Sequence, residues 1–193
     1  SILLSRGGGE FEPGPSFATA GSTTSLAAAD LNADGNIDLA VAEYANSIAI
    51  FLGEGDGSFV FNDRYPTGPT SRYSPSFIAA ADLNLDGAPD LVVASETAEV
   101  SVFIAKGDGT FQGSTHFASG LGNSSIAVVD FNLDGFPDLA ISTAHESYEG
   151  VVLFGLGNGL FDPPAPLGGD TGGFFICTGD FNRDGRPDLA VSG

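Results

Sequence analysis

The feature that most constrains this chain is a nine-residue pattern, Asp-x-Asn-x-Asp-Gly-x-x-Asp, that recurs at a period close to fifty residues. It reads Asp30, Asn32, Asp34, Gly35 and Asp38 in the first copy, and Asp82, Asn84, Asp86, Gly87 and Asp90 in the second. The third copy is Asp130, Asn132, Asp134, Gly135 and Asp138, and the fourth is Asp180, Asn182, Asp184, Gly185 and Asp188. The first aspartates follow one another at intervals of 52, 48 and 50 residues. A fixed period of this length marks a repeat architecture, in which no unit buries its own apolar face and each must stack on its neighbours.

The order of elements around each copy is the same. In the second copy an apolar run at 77–81 leads into the acidic loop, a second run follows at 91–95, and a third at 100–105 ends in a glycine turn at 107–111. A polar strand near 115–117 and a Gly/Ser linker complete the unit. These are short β runs broken by Gly, Asp and Asn, with no 3.6-residue periodicity. Four strands, A to D, per fifty-residue repeat predict an all-β chain built of β-propeller blades. The alanine-rich A strands at 27–29 and 79–81 suit the crowded position nearest a propeller axis, and the apolar C strands at 48–52 and 151–154 suit the space between sheets. Each glycine turn is followed by a phenylalanine, Phe11, Phe59, Phe111 or Phe161, expected to plug the gap between blades.

This pattern divides the chain into one propeller domain over 1–193. Residues 1–24 give strands C and D of a split blade, 25–75, 76–123 and 124–173 give three whole blades, and 174–193 give strands A and B of the split blade. The two half-blades are completed by each other in a four-bladed ring, by a second chain in an eight-bladed homodimer, or by further residues of a longer propeller. All three satisfy the strand count.

At 193 residues and 42% apolar content the chain has material for a sizeable core. Its 25 acidic and 6 basic residues give a formal charge of −19, which excludes nucleic acid as a partner and attracts cations. No run approaches the roughly 18 apolar residues of a membrane span, so no membrane insertion is expected, and residues 1–5 lack the pattern of a signal peptide. Cys177 has no second cysteine to bridge to, and its neighbours Phe174, Phe175 and Ile176 predict a buried small hydrophobe.

Twelve of the 25 acidic residues lie in the four loops. Oxygens at alternate positions of a tight loop converge on one point, and the glycine at position six permits the reversal that returns position nine to it. Position seven, occupied by Asn36, Ala88, Phe136 and Arg186, varies as expected if only its backbone carbonyl binds. Such a cage suits a hard cation, calcium better than magnesium, at about four per chain. An EF-hand would need Glu at position twelve, where Val41, Val93, Ile141 and Val191 stand. Aspartates committed to a cation are poor acid/base catalysts, and His116 and His145 have no matched Cys or Ser, so no enzyme is expected.

The motif, the Ala-Val or Val-Val strand after it and the later Gly-Asp-Gly-Thr-Phe turn resemble the FG-GAP, or VCBS, repeats of integrin α-subunit propellers, fungal seven-bladed lectins and many bacterial secreted proteins. The resemblance covers essentially the whole chain. It implies calcium at Asp30, Asn32, Asp34, the Asn36 carbonyl and Asp38, and at the matching residues of the other copies. The chain departs from the familiar seven blades in having four repeats. Extracellular modules bind calcium at about 0.1 to 1 mM, and a cytosol would leave such sites empty, so an extracellular or periplasmic home is expected.

In this strand scheme the acidic loops and glycine turns share one face of the ring. The opposite face, formed by B–C loops and D–A linkers, is expected to hold the ligand site, at Tyr44, Tyr65, Arg72, Tyr73, His116, His145 and Tyr148, with Glu43, Arg64, Glu146 and Glu149 nearby. Aromatic rings beside hydrogen-bonding groups on loops suit carbohydrate or protein recognition. The resemblance to propeller lectins puts carbohydrate first and a protein-binding adhesion module second.

Overall fold

The structure is a computed structural model that describes residues 1–44, 46–68, 74–120, 122–143, 149–168 and 173–192. Among them there are sixteen strands and no helix. A two-stranded sheet of β1 (Leu3–Gly7) and β2 (Glu10–Pro13) comes first. Three antiparallel four-stranded sheets follow, each a simple meander: β3 (Thr23–Ala29), β4 (Asp38–Glu43), β5 (Ser47–Gly53) and β6 (Phe59–Pro66); β7 (Pro75–Ala81), β8 (Asp90–Ser95), β9 (Glu99–Phe103) and β10 (Thr115–Ala118); β11 (Asn123–Val129), β12 (Asp138–Thr143), β13 (Val151–Leu153) and β14 (Ala165–Pro166). The last sheet has two strands, β15 (Phe175–Gly179) and β16 (Asp188–Ser192). Serial four-stranded antiparallel sheets of this kind are consistent with a β-propeller.

The innermost strands lie side by side, β3 against β7, β7 against β11 and β11 against β15. Alanines at 27–29 and 79–81 let their backbones approach, and a β-bulge near the start of each whole sheet helps fasten them. The bulge around Thr24 turns its hydroxyl onto the Pro75 carbonyl at 2.7 Å, and the one around Ser76 does the same to the Asn123 carbonyl at 2.8 Å. Neighbouring sheets are thus hydrogen-bonded where side chains are too small to hold them by packing.

Bulk lies further out. Ile48 and Ile50 pack with Ile78, Leu91, Val93 and Phe103 between the first and second whole sheets, and Val92 and Val100 pack with Ile126, Leu139, Ile141 and Leu153 between the second and third. Every residue of β4, β8 and β12 is buried, because each of these strands has a sheet on both faces. Full burial of one such Val, Leu, Ile or Phe contributes about 1.5–3 kcal/mol.

The same sequence type without a second neighbour stays exposed. β16, Asp-Leu-Ala-Val-Ser, is only half-buried, and Phe175 keeps 67% of its surface. Cys177 is exposed too, contrary to the buried site its apolar neighbours predict, because no sheet covers that face of β15. The plug role holds for Phe111 and Phe161, which are buried edge-on against Tyr65 and Phe117, and Phe59 packs on Phe17. Phe11 does not follow them; it is 63% exposed.

Candidate metal centres and ligand face

Each acidic loop joins an innermost strand to the next strand of its sheet, and its shape comes from its own side chains. Asp30 Oδ1 and Asn32 Oδ1 both accept the Asp34 N–H, at 3.1 and 3.0 Å, so positions one and three converge on one point. Asp30 Oδ2 takes the Gly35 N–H at 2.9 Å, and Asp34 Oδ1 takes the Asn36 N–H at 2.7 Å. The same four bonds recur around Asp82, Asp130 and Asp180. Gly35, Gly87, Gly135 and Gly185 have φ between 82° and 94°, the reversal expected of position six.

Position four was invisible to sequence reasoning. Ala33, Leu85, Leu133 and Arg183 all hold φ near 60°, where residues with a Cβ are rare. Neither Ala nor Leu favours that region, so no residue preference announced it. Strain repeated at one position of four loops is of the kind that functional sites retain.

The ninth aspartate has a second role. Asp38 is fully buried; its Oδ2 accepts the Leu31 N–H at 2.8 Å and its Oδ1 accepts the Gly53 N–H at 2.8 Å. Asp90 bonds Leu83 and Ala105 in the same way, and Asp138 bonds Phe131 and Gly155. Among the described residues Asp188 accepts only the Phe181 N–H. Burial pushes the Asp90 and Asp138 carboxyls above their ordinary range, against the pull of those N–H groups. Asp34 is held below it by the Asn36 N–H and the Asn32 amide.

Among the described residues no three His, Cys, Asp or Glu side chains cluster closely enough to hold a metal by themselves. The donors of each loop are instead an exposed carboxylate at position five, a second carboxylate at position one that is half-buried in the first three loops, one carboxamide and a carbonyl, with the ninth carboxylate bonded to backbone. This all-oxygen set fits a hard cation, and each hydrogen-bonded carboxylate oxygen keeps a second lone pair. The ion pairs among the described residues, Arg6–Glu12, Arg64–Glu43 and His116–Glu99, leave the loop carboxylates without a cationic side chain.

On the opposite face, Tyr44 follows β4, is 59% exposed, and gives its N–H to the Ser22 carbonyl. Beneath it Glu43 is buried, gripped by Arg64 at 2.7 and 3.2 Å, the Ser47 hydroxyl and the Ala20 N–H. Tyr65 is not on a loop: it sits within β6, edge-on to Phe103 and Phe111, with its hydroxyl accepting the Phe111 N–H at 3.1 Å. His116 lies in β10, with Nδ1 at 3.0 Å from Ser101 Oγ and Nε2 at 3.3 Å from Ser114 Oγ. Ser101 is buried and donates its proton to the Thr67 carbonyl. Arg72, Tyr73, His145 and Tyr148 lie outside the described residues.

The FG-GAP-like repeat family matches residues 30–93 and 82–141, each span joining two successive acidic loops. No curated protein matches the chain. Among solved structures, BBS1N in complex with ARL6DN is similar at 16% identity and a TM-score of 0.60, over 89% of this chain and 50% of that one. The chain thus spans about half the length of that neighbour. A Tc holotoxin pore of Photorhabdus luminescens is 21% identical over 95% of this chain and 9% of its own, with a TM-score of 0.49. No helix among the described residues is long and apolar enough to cross a membrane. With its family match running across three of the four loops and its sheets stacked as in a propeller neighbour, the chain belongs to the FG-GAP-like repeat proteins, a structural or binding module built on β-propeller blades.

Proposed function

We propose that this module is a calcium-binding recognition domain that works outside the cell and takes a carbohydrate on the face opposite its acidic loops, with no catalytic step of its own. The observation that carries the metal reading is the fourfold recurrence of one loop, in which positions one and three aim their oxygens at the same backbone atom. Asp30, Asn32, Asp34 and the Asn36 carbonyl would hold the ion, and Asp38 would share its oxygens between the ion and the backbone. When bound, calcium neutralises charge and ties the loop together. At millimolar calcium a site of 0.1–1 mM affinity adds about 0.4–1.4 kcal/mol of stability.

The fourth loop differs, since Arg183 and Arg186 stand inside it. Two local cations oppose a third, so this site is the weakest of the four. Calorimetric titration should find about four sites, with Arg186→Gln strengthening one. A melt unchanged by chelator, together with a flat titration, would sink the metal reading.

Our reading centres recognition on Tyr44, whose ring is exposed and which follows the buried, Arg64-paired Glu43 in the chain. A flat ring held beside hydrogen-bonding groups suits a sugar face. A glycan array probed in saturating calcium, with Tyr44→Ala as control, tests it; a blank array removes the carbohydrate reading. The second reading is a protein ligand, favoured by one observation: the similar propeller BBS1N was solved with a protein partner, ARL6DN. Capture of a protein by the intact chain but not by Tyr44→Ala would support that reading instead.

A further inference from the structure

The glycine turn after the third strand of a whole sheet ends on a glycine that its surroundings fix. A Cβ on Gly109 would come 3.1 Å from Leu52, and one on Gly159 would come 2.4 Å from Ile104, just past β9. Gly109 and Gly159 also hold φ of 79° and 75°, so glycine is required by conformation and by space together. The residue before it is not fixed in this way: Asp56 and Asp108 stand there in the first two whole sheets, Asn158 in the third.

Asn158 is the one asparagine of nine that a glycine follows. It is exposed, and its Oδ1 accepts the Leu160 N–H at 3.0 Å. That bond folds the side chain back over the next peptide, which sets Cγ beside the Gly159 nitrogen and polarises the Cγ carbonyl. The nitrogen itself is unengaged. At the equivalent place in the second whole sheet the Gly109 N–H is given to the Leu31 carbonyl at 3.0 Å, whereas the Gly159 N–H has no acceptor among the described residues.

Other asparagines are held differently. Asn32 and its three loop counterparts give an Nδ2 hydrogen to the next aspartate and precede residues with side chains. Asn62 Nδ2 is bonded to the Gly109 carbonyl, and Asn123 is buried with Nδ2 on the Thr97 and Glu99 carbonyls. Asn158 Nδ2 has no acceptor among the described residues, so no bond retains it as a leaving group.

We propose that Asn158–Gly159 is a self-modification site, at which the folded chain converts Asn158 to aspartate and isoaspartate. Hydroxide takes the Gly159 amide proton, the nitrogen bonds to Cγ, and the Cγ–Nδ2 bond breaks as Nδ2 leaves, protonated by water, as ammonia. A water molecule then opens the cyclic imide. Attack at Cγ breaks the new bond and leaves aspartate; attack at the main-chain carbonyl of the same residue breaks the original peptide bond and leaves isoaspartate, whose backbone runs through Cγ. In sum one amide and one water become one carboxylate and one ammonium, and nothing is oxidised or reduced.

The two products differ in consequence. Aspartate accepts the Leu160 N–H as Asp108 accepts that of Thr110, and adds only a charge. Isoaspartate adds a methylene to a turn closed by the Leu156 N–H on the Leu160 carbonyl at 2.9 Å, and so moves Gly159 off Ile104 and Phe161 from its buried place against Phe117. Contact between the second and third whole sheets loosens as the molecule ages.

The intact chain, kept folded at mildly alkaline pH in heavy-oxygen water, is digested and mapped by mass spectrometry. Heavy oxygen should enter at Asn158 ahead of every other asparagine, at a rate proportional to hydroxide, and isoaspartyl methyltransferase should label the same peptide. Asn158→Gln, whose longer side chain closes the ring far more slowly, should lose both signals. The aged, isoaspartate-bearing fraction should melt below fresh protein, and fresh Asn158→Asp should melt with it. Label at Asn158 only after urea unfolds the chain, entry at Asn46, which precedes Ser47, as fast as at Asn158, or aged protein that melts as fresh protein does overturns the proposal.

Discussion

The Asp38 carboxylate accepts the Gly53 N–H at 2.8 Å across fifteen residues of chain, binding the end of the third strand of the first whole sheet to the loop between its first two. Since Asp38 also holds Leu31, one buried side chain fixes loop, second strand and turn together.

Removing that anchor should therefore be expensive without any metal present. Asp38→Ala orphans two backbone donors, and hydrogen bonds to a charged group contribute about 1.5–3 kcal/mol each. Asp188→Ala loses a single bond on a half-buried strand and should cost about 1–2 kcal/mol. Urea unfolding in chelator measures the gap; equal losses at the two positions would refute the anchoring role.

The turn glycines separate two effects that sequence alone merges. Gly107 and Gly109 have φ of 76° and 79°, but only Gly109 is crowded, with Leu52 Cδ2 and Asn32 Cβ at 3.1 and 3.3 Å from an added Cβ. Gly107→Ala should cost about 1–2 kcal/mol from left-handed strain alone. Gly109→Ala should cost about 1–3 kcal/mol more, because the turn must back away from the first acidic loop. Its N–H bond to the Leu31 carbonyl, 3.0 Å long, would lengthen with it. Faster amide exchange at Gly109 in that variant, and not in Gly107→Ala, is the accompanying signature.

The repeat and the blade were legible because period, strand length and turn glycines all depend on local spacing. Loop shape was legible for the same reason: Asp30, Asn32 and Asp34 are within four residues of one another. The ninth aspartate was only half legible, since its ties to Gly53 and Ala105 depend on where a later strand lands. Cys177 was misplaced because apolar neighbours report what a segment would bury, not whether a neighbouring sheet covers it. Tyr65 was misplaced because a tyrosine near a strand end reads as a loop residue until its hydroxyl is seen to take the Phe111 N–H.

The two described tyrosines of the ligand face should accordingly separate under mutation. Tyr65→Phe leaves the Phe111 N–H without its acceptor and should cost about 1–3 kcal/mol while leaving ligand binding intact. Tyr44→Ala removes an exposed ring and should leave the melt within about 0.5 kcal/mol. If binding of any ligand found for this face falls with Tyr65→Phe and not with Tyr44→Ala, recognition lies elsewhere.

Two sets of carboxyls give the stability of this domain opposite slopes at acid pH. Burial pushes Glu43 upward, but the Arg64 guanidinium, the Ala20 N–H and the Ser47 hydroxyl together bring it below its ordinary value of 4.5. Its ionised form is therefore favoured in the folded state, and that stability is present above 4.5 and lost as pH falls through the lower folded value. Asp90 and Asp138 are shifted the other way by burial, above 3.8, so their contribution is present below 3.8 and lost as pH rises through their folded values. Glu43→Gln should thus flatten the acid limb of a plot of melting temperature against pH and spare the decline that follows. Arg64→Ala leaves Glu43 buried with only neutral donors and should cost about 3 kcal/mol at neutral pH. Arg6→Ala, from the exposed pair with Glu12, should cost under about 1 kcal/mol. An acid limb that survives Glu43→Gln unchanged would move the pH dependence to the loop aspartates, where added calcium alters it and Arg64 does not.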